Sequence, residues 1–329
     1  TGAKKSIAIG QSAVVSGTNA EDVVALGNAA GAYADATGST LIGNKAGFRS
    51  SGNYNTVVGY RAMSGSSSGD TSNLNVAIGY TAMEDSTSAS ENVAVGSYAG
   101  GDLTTGDYNT IVGYSAMRSG TTTNRQVAVG YAALSKFTQS GDLRNTAVGM
   151  YAMLNPRSGS NNIAMGYGAM QGANSVYDSD YNVALGSDTL YDIAGGDSNT
   201  AVGYQAGYNV STGGDNVLVG YQAGFTQSTA TAATLVGYKA GTNNTANSIV
   251  ALGKNAGYSN SSGGNNTFIG FSAGHSNDTG ASNVFLGYQA GYPMNANNNV
   301  VIGTNAGVAA TSTTNDSVLI GNEAGYSTA

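Results

Sequence analysis

NTAVGYQAGYNVSTGGDNVLVGYQAG, residues 199–224, states one phrase twice, the second Val-Gly-Tyr-Gln-Ala-Gly beginning 17 residues after the first. Indexed on the glycine of that phrase, the chain holds 19 copies. They are Gly10, Gly27, Gly43, Gly59, Gly79, Gly96, Gly113, Gly130, Gly149, Gly166, Gly186, Gly203, Gly220, Gly237, Gly253, Gly270, Gly287, Gly303 and Gly321. Neighbours lie 16 to 20 residues apart, so the array spans the chain and the repeat is the unit to interpret.

Four positions around each glycine are restricted. The residue before it is aliphatic, Met165 being the only unbranched case, and the residue three before it is β-branched in all 19 copies. Four before it stands Asn in 12 copies, and three after it stands Ala in 18, with Thr189 the exception. A short run rich in Val, Ile and Thr, bounded by Asn and Gly, predicts a short β-strand. The chain's 50 glycines oppose helix. One strand per repeat predicts an all-β fold, a β-solenoid of about 19 coils of about 17 residues. At roughly 4.8 Å per coil such a rod would be on the order of 90 Å long.

Alternate strand residues face opposite sides. One face carries the β-branched residue, the aliphatic residue before the glycine and, in many copies, a Tyr after it. The other carries the glycine and the residue two before it, which is Ala in ten copies and otherwise Leu, Val, Ile or Phe. A strand apolar on both faces is normally buried on both. One face fills the coil, and the other requires a partner, expected to be further copies of the chain. One methylene-equivalent buried at each position, at roughly 0.8 kcal/mol, amounts to on the order of 15 kcal/mol per protomer as an upper bound. The small Ala and Gly residues are expected to let backbones approach around a shared axis.

The array has zones: short coils over 1–58, mainly longer coils with Met or Leu four after the glycine over 59–202, and coils with Gly there over 203–329. Met63, Met83, Met117, Leu134, Met153, Met170 and Leu190 are expected to fill wider coils, and the Gly version to make a tighter left-handed turn. All are subfamilies of one fold in a single array, expected to be part of a longer fibre.

Composition narrows the function. The 329 residues include no Cys and one His, and the net charge is −7. Ten of the 12 basic residues lie at or before Arg157, and nothing forms the clustered basic footprint that nucleic acid requires. No membrane-inserting run is present. The missing cysteines fit an extracellular, cell-surface or virion location.

The phrases SIAIGQSA (6–13), NVAVGSYAG (92–100) and NTAVGYQAG (199–207) resemble the repeats in trimeric autotransporter adhesin heads. They are closer still to the Asn-Thr-Ala-x-Gly repeats of trimeric tail-fibre-like proteins. That resemblance implies a homotrimer of left-handed parallel β-rolls, an extracellular or virion rod that holds or displays a receptor-binding surface. It also implies a cell-surface glycan or protein as receptor. The coils are longer than in adhesin heads, and no neck motif, heptad stalk or self-cleaving chaperone segment is visible. Shaft is therefore the expectation rather than tip.

Catalytic and metal chemistry find little support. His275 has Ser276 and Asp278 beside it, but the three share one polar turn, and an exposed loop histidine is the plainer reading. Gly-Gly-Asp turns at 195–197 and 213–215 resemble calcium-binding β-roll repeats, yet the full motif never occurs, so turn-forming Asp is preferred. No enzyme activity, metal or other cofactor is expected. Tyr60, Tyr80, Tyr114, Tyr131, Tyr167, Tyr204, Tyr221, Tyr238 and Tyr288 directly follow their glycines and predict an aromatic ladder, structural first and glycan-binding second. The irregular stretches 64–74 and 171–181 are candidate binding loops. The alternative function is a single-chain solenoid that binds a repetitive surface, ice or polysaccharide. Thr stands three before the glycine in seven copies, interspersed with Val and Ile.

Overall fold

The computed structural model describes residues 5–13, 21–65, 70–155, 158–172, 178–308 and 315–326. It is an all-β parallel solenoid with no helix among those residues. Each copy contributes one three-residue strand ending immediately before its signature glycine, from Ile7–Ile9 to Val318–Ile320. The chain divides into two compact units, 1–162 and 163–329, holding nine and ten such strands. A second small pairing, Thr123–Asn124 with Gly141–Asp142, lies in the first unit.

Within each unit like positions lie side by side. Ala25 pairs with Leu41 and Leu41 with Val57; in the second unit Ala201 pairs with Leu218 and Leu218 with Leu235. A slip of one residue would exchange the two faces of a strand, so this pattern fixes the register.

The middle strand residue points inward: Ala25, Leu41, Val57, Phe268 and Phe285 are buried. The two residues flanking it point outward, and Ile78, Val93, Val217 and Leu286 are 37 to 41% exposed. The expectation that Ala and Gly line a shared axis is therefore overturned. The interior takes both the middle strand residue and the Ala three after the glycine, which is buried in Ala30, Ala116, Ala206 and Ala290. Thr189 replaces that Ala without loss because its hydroxyl donates to the Gly203 carbonyl of the next coil at 2.7 Å.

The signature glycines all hold φ between 128° and 143°, a region closed to residues with a Cβ. They also lie backbone against backbone: a Cβ on Gly203 would stand 2.7 Å from the Gly220 carbonyl oxygen.

Four residues on, Met63, Met83, Met117, Leu134, Met153, Met170 and Leu190 are all buried in the interior. Their φ values of 43° to 52° are as left-handed as those of the glycines that replace them, such as Gly207 at 61°. The tighter-turn explanation of Gly is thus wrong; interior volume is the reason. A Cβ on Gly207 would meet Leu218 at 2.7 Å, and one on Gly257 would meet Phe268 at 2.7 Å. Gly stands where the middle residue of the next coil is bulky, as Leu218 is beyond Gly207 and Phe268 beyond Gly257, whereas Met83, Leu134 and Met153 are followed by Ala94, Ala147 and Ala164.

The recurrent Asn four before the glycine forms an internal ladder. Asn199 Nδ2 donates to Asn182 Oδ1 at 3.0 Å and to the Gly213 carbonyl at 2.9 Å, and Asn216 repeats the pattern toward Asn199 and Ala230. Buried amides arranged this way satisfy backbone groups that a thin coil cannot pair otherwise. Ala233 and Ile249 interrupt the ladder, and two asparagines from another corner compensate. Asn244 caps the Ala246 carbonyl at 2.9 Å, and Asn260 caps that of Gly263 at 3.0 Å.

Candidate functional site

Two surfaces stand out: the outward sheet face and the aromatic columns beside it. The outward face of each strand carries only Val, Ile, Leu, Met or Thr. No charge interrupts it, and large side chains on it, Met165 and Ile163 among them, are 44 and 39% exposed. Contiguous exposed apolar patches of this kind mark interaction sites.

The tyrosines after the glycines form the border of this face. Tyr60 stacks on Tyr80 with centroids 5.3 Å apart, and Tyr114 stacks on Tyr131 at 5.2 Å. Tyr98 and Tyr151, one residue further along their copies, continue the column by edge contacts at 5.4 Å to Tyr80 and Tyr131. In the second unit Tyr204, Tyr221 and Tyr238 stack in turn at 5.4 and 5.1 Å. Lys254 then stands over both Tyr238 and Phe271, at 5.4 and 5.8 Å, and Phe271 stacks on Tyr288 at 5.1 Å. Tyr167 is 51% exposed. Ring faces used against neighbouring rings are closed to sugars, which favours the structural role of the ladder.

A second column was missed in the sequence. It lies five residues after the glycine, where Tyr191, Tyr208 and Phe225 stack at 4.9 and 5.1 Å. Further along, His275 is held between Tyr258 and Tyr292 at 5.0 and 4.9 Å. The shared offset from the glycine was the available signal, obscured because Thr242 interrupts the series.

His275 is accordingly a half-buried stacking ring and not the exposed loop side chain expected. Its Nδ1 lies 3.3 Å from the Ser276 hydroxyl. Asp278 instead takes hydrogen bonds at its carbonyl from the Ser261 and Ser262 amides, at 2.9 and 3.0 Å, so no triad is assembled. Burial lowers the imidazole pKa below its ordinary 6.5. Below pH 6.5 the unfolded chain takes up a proton that the native ring resists, so stability falls with falling pH until the native pKa is reached. His275→Phe keeps the stack and is expected to remove that component. Thermal midpoints of the two proteins should diverge between pH 7 and 5, with the variant the higher at acid pH.

The Gly-Gly-Asp turns use their carboxylates and backbone internally. Asp197 Oδ1 accepts the Asp180 amide at 2.8 Å, and the Asp215 amide donates to the Asp197 carbonyl at 3.0 Å. Among the described residues no group of three His, Cys, Asp or Glu could hold a metal ion. Among the described residues no helix is long and apolar enough to cross a membrane. Of the two irregular stretches, 66–69 and 173–177 lie outside the described residues. At their margins Asp70 is buried and bonded to the Ser72 amide at 2.9 Å, with its pKa raised by desolvation, and Tyr181 is 62% exposed.

No protein-family model matches the chain, and no curated protein matches it.

Proposed function

We propose that the chain is a shaft segment of a trimeric extracellular or virion fibre, a structural and adhesive protein without catalysis. The observation that supports this is the outward sheet face, apolar or Thr at both exposed positions of every strand. Its burial by other copies removes apolar surface from water, and stacked coils present the same face at every level, so a long interface follows from a short motif. Three copies and a left-handed coil are taken from the resemblance to tail-fibre and adhesin repeats. On this reading the tyrosine columns border the contact, and receptor recognition, of a glycan or a protein, belongs to surfaces away from the sheet.

Charging the face tests the reading. Val219→Asp together with Val236→Asp replaces two outward residues that are neighbours in register. The pair is expected to yield folded chains of 32.7 kDa by light scattering. An unchanged oligomer would overturn the assignment of this face.

The second reading, adsorption to ice or a crystalline polysaccharide, is favoured by Thr on the outward face, exposed at Thr56 and Thr110. Thr stands beside Thr in the described registers only at Thr40 and Thr56, however, so the face offers no regular hydroxyl lattice. Thermal hysteresis in a dilute solution of the chain would establish this reading over the first.

A further inference from the structure

One surface feature lies beside the sheet face, where amide and charged side chains replace tyrosines along the column positions. In the first unit an open groove is lined by Lys45, Phe48, Arg49, Arg61, Ser64 and Gly65. The solenoid register assembles it. The Lys45 amide donates to Asn28 and the Arg61 amide to Asn44, both at 2.9 Å, so Lys45 and Arg61 occupy the same position of successive coils. The backbone positions that carry these two cations are thereby about one strand spacing, ~4.8 Å, apart along the stack. Arg49 adds a third from the next corner, its guanidinium carbon 5.2 Å from the Phe48 ring centre, with the Lys45 ammonium 5.8 Å from the same centre. Tyr33 fixes that ring by an edge contact at 5.7 Å.

The groove is not neutralised from within. Arg61 pairs with Glu84 at 2.5 Å, but Lys45 and Arg49 make no ion pair among the described residues. In a chain of net charge −7 this is a local reversal of sign. Alongside runs an amide ladder, Gln11 to Asn28 at 3.2 Å and Asn28 to Asn44 at 3.5 Å, which ends next to Lys45. Cations held in register favour an oxyanion, Arg49 offers a planar fork for it, and exposed amides suit hydroxyl groups. A polyanion such as nucleic acid would extend past these few cations onto acidic surface.

We propose that this groove binds an acidic saccharide, its carboxylate or sulfate held by Lys45 and Arg49 and its hydroxyls by the amide ladder. The site goes beyond the fibre reading: its cations use none of the sheet face, although its amide ladder occupies the column that borders that face.

The test is calorimetric titration of the whole chain with sialyllactose and with a sulfated heparin-type disaccharide, against lactose and inorganic sulfate. At least one acidic sugar should bind about tenfold or more tightly than lactose and sulfate. The double variant Lys45→Gln with Arg49→Gln should lose about tenfold or more of that affinity. Lys239→Gln with Lys254→Gln, in the second unit, should lose none. Lys45, Arg49 and Lys254 are exposed and Lys239 is half-buried, and thermal melts verify that each variant folds. Failure of both acidic sugars to bind overturns the proposal, as does unchanged affinity in the Lys45/Arg49 variant. Equal affinity for inorganic sulfate overturns the saccharide assignment.

Discussion

Gly237→Ala is expected to destabilise the solenoid by at least about 3 kcal/mol. Two effects act together at this position. Its φ of 138° is disallowed for alanine, and the new Cβ would stand 2.5 Å from the Gly253 carbonyl oxygen of the next coil. Neither relaxes cheaply, because moving Gly253 away breaks its amide hydrogen bond to Val236 at 2.8 Å. The control is Gly264→Ala, where a Cβ meets only the Asn247 carbonyl at 3.5 Å and the backbone is compatible with alanine. It should stay within about 0.5 kcal/mol of the parent. Urea midpoints for the three proteins measure the difference, and equal midpoints would show that the signature glycines are not required by backbone contact.

Asn199→Leu should be nearly as damaging, about 3 to 5 kcal/mol, although the leucine is close to isosteric. The cost comes from groups left behind. Asn216 donates to Asn199 Oδ1 through its backbone amide at 3.2 Å and its side-chain amide at 2.9 Å, and the Gly213 carbonyl receives Asn199 Nδ2. With Asn182 Oδ1, which also accepts from Asn199 Nδ2, four groups lose a bond inside a buried column, where an unmade hydrogen bond costs about 1 to 3 kcal/mol. Denaturant titration is the measurement again. A change under about 1 kcal/mol would mean that the ladder is replaceable, which the paired compensation at Asn244 and Asn260 argues against.

The array, the strand in each copy and the in-register stacking were legible because the restricted positions recur at one spacing. The sequence also showed that both strand faces are apolar, but not which of them is inside. Composition at the middle position could not decide this, since Ala suits a close helical or sheet contact as well as a thin interior. The deciding facts lie in other corners of the coil: the buried Ala30 and Ala46, and the Met83 or Gly47 that adjusts to the middle residue. Asparagine was visible as a repeated letter, whereas its role depends on carbonyls 14 residues onward, such as Gly213 for Asn199. The second aromatic column was lost to its interruptions. The groove was only partly legible: Lys45 and Arg61 share the offset two after Gly43 and Gly59, but that Phe48 and Arg49 close against them from another corner is a fact of the coil's cross-section.

The absolute mass of residues 1–329 in solution, by light scattering, tests the central claim most directly. The fibre account predicts a species near three times 32.7 kDa that resists dilution. A stable monomer of 32.7 kDa would contradict it, because the apolar sheet face would then be shown to stay in water.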